Sequence, residues 1–83
     1  MKEIPAYVCS HIFDNTKPVL LVAKEDGDWQ FLCGEEHDEI PIVVGINHII
    51  ERDNTLVDIL NLKDNHEAER KKVGGKWKIN KIK

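Results

Sequence analysis

The chain is poor in the residues that usually advertise an activity or an unusual environment. Aromatic residues make up 6% of its 83 positions, and it holds one methionine and two cysteines. Two cysteines are too few for a disulfide-dense secreted scaffold. No run approaches the ~20 apolar residues that a membrane helix needs, and the opening MKEIPAYVCS has no apolar block of signal-peptide length. These absences predict a cytoplasmic protein with no membrane association, whose reduced cysteines serve as core residues or metal ligands. Internal repeats and low-complexity linkers are missing too, so residues 1–83 are expected to form a single domain. A chain this short buries only ~60–65% of its unfolded surface, and one extra staple therefore matters to its stability.

Charge of one sign is locally absent. Residues 25 to 39 hold seven acids (Glu25, Asp26, Asp28, Glu35, Glu36, Asp38, Glu39) and no lysine or arginine, whereas residues 70 to 83 hold seven bases and no acid. The net charge is only -3, so the total implies no general affinity for nucleic acid or membrane.

The strongest local signal is Val19 to Gly34, VLLVAKEDGDWQFLCG. An Asp-Gly pair between apolar runs marks a tight hairpin, because glycine accepts the positive φ that the turn requires. Closure there sets Lys24 opposite Trp29, Val22 opposite Phe31 and Leu20 opposite Cys33. Leu20, Val22, Trp29, Phe31 and Cys33 then share one face, and the other face is also largely apolar. Such a hairpin should be central, with other elements covering it.

Ala6 to Phe13, AYVCSHIF, reads as a first strand that ends at the turn formers Asp14 to Pro18. The short link to Val19 favours antiparallel pairing with the hairpin, since a parallel neighbour needs a crossover of about a dozen residues or more. EEHDEIP after Gly34 reads as a surface loop, and 42–44 as a brief strand. Ile46, Ile49 and Ile50 then fall at helical spacing, and Leu56, Ile59 and Leu60 repeat it after an N-cap at Asn54 or Thr55. In the tail, residues 66–73 suit helix or strand. The pair Gly74-Gly75 between Arg70–Val73 and Lys76–Ile79 favours a hairpin. The expected fold is α+β, with a small antiparallel sheet (N-terminal strand, central hairpin 19–33 and C-terminal hairpin) packed against two short helices.

Several of these residues form a recognisable set. Gly27-Asp28-Trp29-Gln30-Phe31 with Gly34-Glu35 and Asp38, then Ile46 to Ile50, Asn54-Thr55-Leu56, and Ala68-Glu69-Arg70 leading to Gly75-Lys76-Trp77 resemble a family of small bacterial proteins. That family was long catalogued as a domain of unknown function and later described as immunity proteins of polymorphic toxin systems. The resemblance implies an α+β fold, the terminal hairpin, and a non-enzymatic inhibitor that binds a protein partner. Cys9, His11, Cys33 and His37 are not part of it.

Those four residues are the sharpest candidate site. Cys9 and His11 are two apart, so on a strand they project from one face; Cys33 ends the hairpin and His37 follows four residues on. Two thiolates and two imidazoles are a common tetrahedral zinc set, and a structural zinc adds directly to folding free energy. The spacing C-x-H plus C-x3-H departs from the C-x2-C pairs of familiar zinc modules, and the competing reading puts both cysteines in the core. A Cys-His nucleophile oriented by Asp38 lacks any local signature, so no enzyme is expected. His48 is expected to be a partly buried, hydrogen-bonded residue and is the replacement ligand. Trp29 is expected to pack in the core, and Trp77 to be either packed or an interface anchor. Glu35, Glu36, Asp38 and Glu39 form the candidate docking face for a basic protein partner. The lysine-rich tail reads as a solvated edge, since one tryptophan among its bases is a weak nucleic-acid pattern.

Overall fold

The computed structural model describes residues 4–35 and 41–82. Its centre is the hairpin of β2 (Leu21–Glu25) and β3 (Asp28–Leu32), antiparallel in the expected register of Lys24 to Trp29 and Val22 to Phe31. Asp26 (φ 53) and Gly27 (φ 84) both take the left-handed conformation that a two-residue hairpin turn demands. The pairing places the Lys24 ammonium over the Trp29 ring at 5.0 Å. Trp29 and Phe31, two apart on one face, stack with centroids 5.8 Å apart.

The remaining strands are β1 (Pro5–Val8), β4 (Ile42–Gly45), β5 (His66–Glu69) and β6 (Lys78–Lys81), and the sheet order is β4-β1-β3-β2-β5-β6. The hairpin is therefore central, as its composition requires. The sheet is mixed, however, and not antiparallel throughout, because β1 runs parallel to β3, pairing Ala6 with Trp29 and Val8 with Phe31. The crossover that a parallel pair needs is supplied by residues 9–27, which include all of β2 on the far side of β3. The expected strand 6–13 stops at Val8. Cys9 then caps the short helix α1 (Ser10–Phe13), where Phe13 N donates to Cys9 O (3.0 Å) and Asp14 N to Ser10 O (2.8 Å).

One face of the sheet, carrying Ala6, Val8, Val22, Trp29, Phe31 and Ala68, is buried under Ile12, Ile46, Ile49, Leu56 and Ile59. Trp29 is thus a core residue. Among the described residues no helix covers the opposite face, where Tyr7, Gln30 and Leu32 are half-buried and Val43 is exposed; covering on both faces is not seen. Helix α2 (Ile46–Arg52) follows the expected period. The second expected helix is a 3-10 helix (Asn54–Ile59), and its N-cap is Asp53, not Asn54 or Thr55. Asp53 Oδ1 accepts the Thr55 backbone N–H at 3.0 Å and also the Thr55 hydroxyl. No described helix is long and apolar enough to cross a membrane.

The terminal hairpin exists, but its strands start earlier and end later than the glycine pair suggests. Glu69 faces Lys78, so residues 70–77 form the connection. Arg70 explains the displacement. Its side chain turns into the core, where Nε and Nη2 donate to Val19 O (3.0 and 2.9 Å), Nη1 to Thr55 Oγ1 (2.8 Å) and Nη2 to Asp53 Oδ2 (2.7 Å). The Trp77 ring covers the guanidinium at 4.4 Å. Both ends of the connection are thereby tied inward, and β5, the start of β2 and the 3-10 helix are joined by one side chain. Burial alone would raise the Asp53 pKa, but the hydrogen bonds from Thr55 and Arg70 and the guanidinium charge together hold it below the ordinary aspartate value.

Candidate metal centre

Parallel pairing makes β1 and β3 leave the sheet at the same end. The residues that follow their last paired positions, Cys9 after Val8 and Cys33 after Leu32, emerge side by side, 2% and 4% exposed. Gly34, at φ 88, lets the chain turn sharply just after Cys33. On the other strand, the single turn of α1 carries His11 back over the pair. His11 is half-exposed, and its Nδ1 lies 3.6 Å from Cys33 Sγ. The ligand atoms of Cys9, His11 and Cys33 all fall within 4.8 Å of one another.

That spacing has chemical meaning. A tetrahedral zinc with Zn–S about 2.3 Å and Zn–N about 2.0–2.1 Å sets an S···N edge of about 3.5–3.6 Å. The Cys33–His11 separation equals that edge. The same separation suits a thiol–imidazole hydrogen bond, and the Nδ1 lone pair can serve only one of the two at a time. The expected cluster is therefore brought together for three of its four members. The reason differs from the one that spacing suggested: His11 converges with Cys9 through a helical turn and not through strand alternation.

Comparison with protein-family models, with curated proteins and with solved structures finds no match. The arrangement must be read from its own residues.

The surroundings hold His11 in place. Its carbonyl accepts Thr16 N (2.9 Å) and Thr16 Oγ1 (3.2 Å). The C-terminal carbonyls of α1 accept Arg52 Nη1, at 2.9 Å for Ile12, which also accepts Asn15 N, and at 3.2 Å for Phe13. Lys17 pairs with Glu35, two residues past Cys33, and so fastens the loop after α1 to the chain leaving β3. That pair also gives Glu35 of the expected docking face a partner within the chain. Glu36, His37, Asp38 and Glu39 lie outside the described residues. His48 is exposed on α2, beside a hollow with Phe13, Val44 and Arg52, and is not part of the cluster; the expected partial burial is not seen.

Sequence reasoning missed Arg52 and Arg70, the residues that position α1 and the terminal hairpin. A signal was available for Arg70, the one arginine in a run of lysines. A planar fork with five donors suits a buried, multiply bonded position that a lysine fills poorly.

Proposed function

We propose that this protein is a small non-enzymatic binding domain in which a structural zinc ion joins the C-terminal ends of β1 and β3. Cys9 and Cys33 would ligate as thiolates and His11 through Nδ1, with His37 completing the tetrahedron. The observation that carries this reading is the grouping of three soft donor atoms within 4.8 Å at the ends of two adjacent strands. Thiolate with imidazole suits zinc, whereas magnesium and calcium prefer oxygen donors. The ion would join β1, α1 and β3, and its binding free energy would add to a small core. Burial of both thiols supports a structural role over a nucleophilic one, since a substrate has little access to a Cys33 that is 4% exposed.

Native mass spectrometry of protein purified without chelator tests the site. One zinc per chain, lost in Cys9→Ser and in Cys33→Ser together with a fall in melting temperature, is the expected result. A bare polypeptide mass after zinc is supplied in excess refutes it, and a full metal load in His37→Gln removes His37 alone.

A second reading concerns the partner, and an acid-lined hollow favours it. Glu25, Asp26 and Asp28 border a depression of about 350 Å³ with Tyr7, Gln30 and Leu32 on the uncovered face of the sheet. Together with Glu35, Glu36, Asp38 and Glu39 it would present negative charge to a basic protein, as an immunity-type inhibitor of a bacterial toxin would. Charge reversal at those four residues should weaken binding of a lysine-rich probe peptide. Unchanged binding counts against the docking face.

A further inference from the structure

The connection 70–77 does more than join two strands. Because Arg70 and Trp77 are drawn inward, the chain between them is lifted into a loop, closed by Gly75 N donating to Lys72 O at 3.0 Å. Lys71 and Lys72 on the outgoing limb and Lys76 and Lys78 on the returning one together line a groove of about 520 Å³. Among the described residues Glu69 is the one acid that lines it. Among the described residues none of these four lysines has a carboxylate partner. Two other groups of described acids lie apart from them. Glu25, Asp26 and Asp28 sit around the β2–β3 turn at the opposite end of the sheet, and Glu35 is held by Lys17.

We infer that this groove binds the phosphate backbone of a single nucleic-acid strand. Four ammonium groups around one groove, against a single acid among the described residues that line it, call for an anion, and the groove is far larger than one phosphate. Lysines act as flexible point charges that track a row of phosphates. The arginine, whose fork would match a carboxylate of an acidic peptide, has its donors committed inside the core. Contact is by charge and independent of sequence, since one face of the Trp77 ring is taken by Arg70 and the lining carries no aromatic residue among the described ones. The linear pattern argued against nucleic acid. Folding changes that argument by concentrating the bases in one concavity and placing Glu25, Asp26 and Asp28 at the other end of the sheet.

Fluorescence anisotropy of a short labelled oligothymidylate, titrated with the full chain from about 20 to 200 mM NaCl, tests the assignment through its salt slope. Four contacts at about -0.7 each give a slope of log affinity on log salt near -3. Lys72→Glu and Lys76→Glu are each expected to weaken binding about tenfold at low salt and to flatten the slope by about one contact's worth. Lys63→Glu, which makes the same charge change at an exposed site outside the groove, should leave binding nearly unchanged. Absence of binding at the lowest salt overturns the inference. Equal weakening by Lys63→Glu overturns it in favour of diffuse charge, and tighter binding of oligoglutamate of matched charge overturns it in favour of an acidic polypeptide. Circular dichroism of each variant establishes that the fold is retained, as these side chains are exposed.

Discussion

Replacing Arg70 by alanine should remove a large part of the stability of this domain. The Arg70 side chain is fully buried and makes four hydrogen bonds, two to the carbonyl of a buried Val19 and one each to Thr55 and Asp53. Truncation leaves the Val19 carbonyl without its side-chain donors and the Asp53 carboxylate, whose side chain is 17% exposed, without its cationic partner. Breaking one partner of a buried ion pair costs about 3–5 kcal/mol. At ~0.05–0.15 kcal/mol per residue, a chain of this length has roughly 4–12 kcal/mol in total. Arg70→Ala should therefore be marginally folded, with a melting temperature lower by about 12–40 °C at about 4–8 °C per kcal/mol. Urea titration followed by tryptophan fluorescence measures the loss, and a double-mutant cycle with Asp53→Asn isolates the pair. A loss below about 1 kcal/mol, or strictly additive losses in the cycle, would refute the account of Arg70 as the tie between β5, β2 and the 3-10 helix.

Other consequences follow from single features. Arg52→Ala, which frees the end of α1 without touching a ligand atom, should lower zinc affinity about tenfold in competition with a chromophoric chelator; unchanged affinity removes Arg52 from that role. Because the folded-state pKa of Asp53 lies below its unfolded value, its stabilisation is complete above the ordinary aspartate range and is lost as pH falls through the depressed pKa. Acid unfolding should accordingly be blunted in Asp53→Asn, and an identical pH profile in that variant contradicts the shift. Gly27→Ala meets no neighbour within 4 Å, so only the positive φ opposes it, and thermal unfolding should report a cost of about 1 kcal/mol. Phe31→Ala empties a site with no solvent exposure and should cost about 3–5 kcal/mol by denaturant titration.

Legibility in the sequence was uneven, and the reasons are physical. The central hairpin was readable down to its register because an Asp-Gly turn and strand alternation act over neighbouring residues. Helix α2 was readable from its isoleucine period, as was the apolar face of the 3-10 helix. The N-terminal strand was misjudged in length and direction. AYVCSHIF is apolar enough for either state, and what ends β1 at Val8 is the burial of Ile12 against α2 and the 3-10 helix, a tertiary contact. Its parallel pairing depends on β2 occupying the far side of β3, which no local pattern encodes.

For the site, residue type named Cys9, His11 and Cys33 as candidates, and only the fold could bring them together. Ligand identity is carried by single side chains. Ligand distance is set by where β1 and β3 end relative to one another and by the turn of α1 that Arg52 holds. The same division applies to charge. Composition by itself determined that the chain has an acidic stretch and a basic one. That the acids of the hairpin turn do not neutralise the bases was decided only in three dimensions, because Arg70 and Trp77, drawn inward, leave the lysines between and beside them on the surface, at the other end of the sheet from Glu25, Asp26 and Asp28.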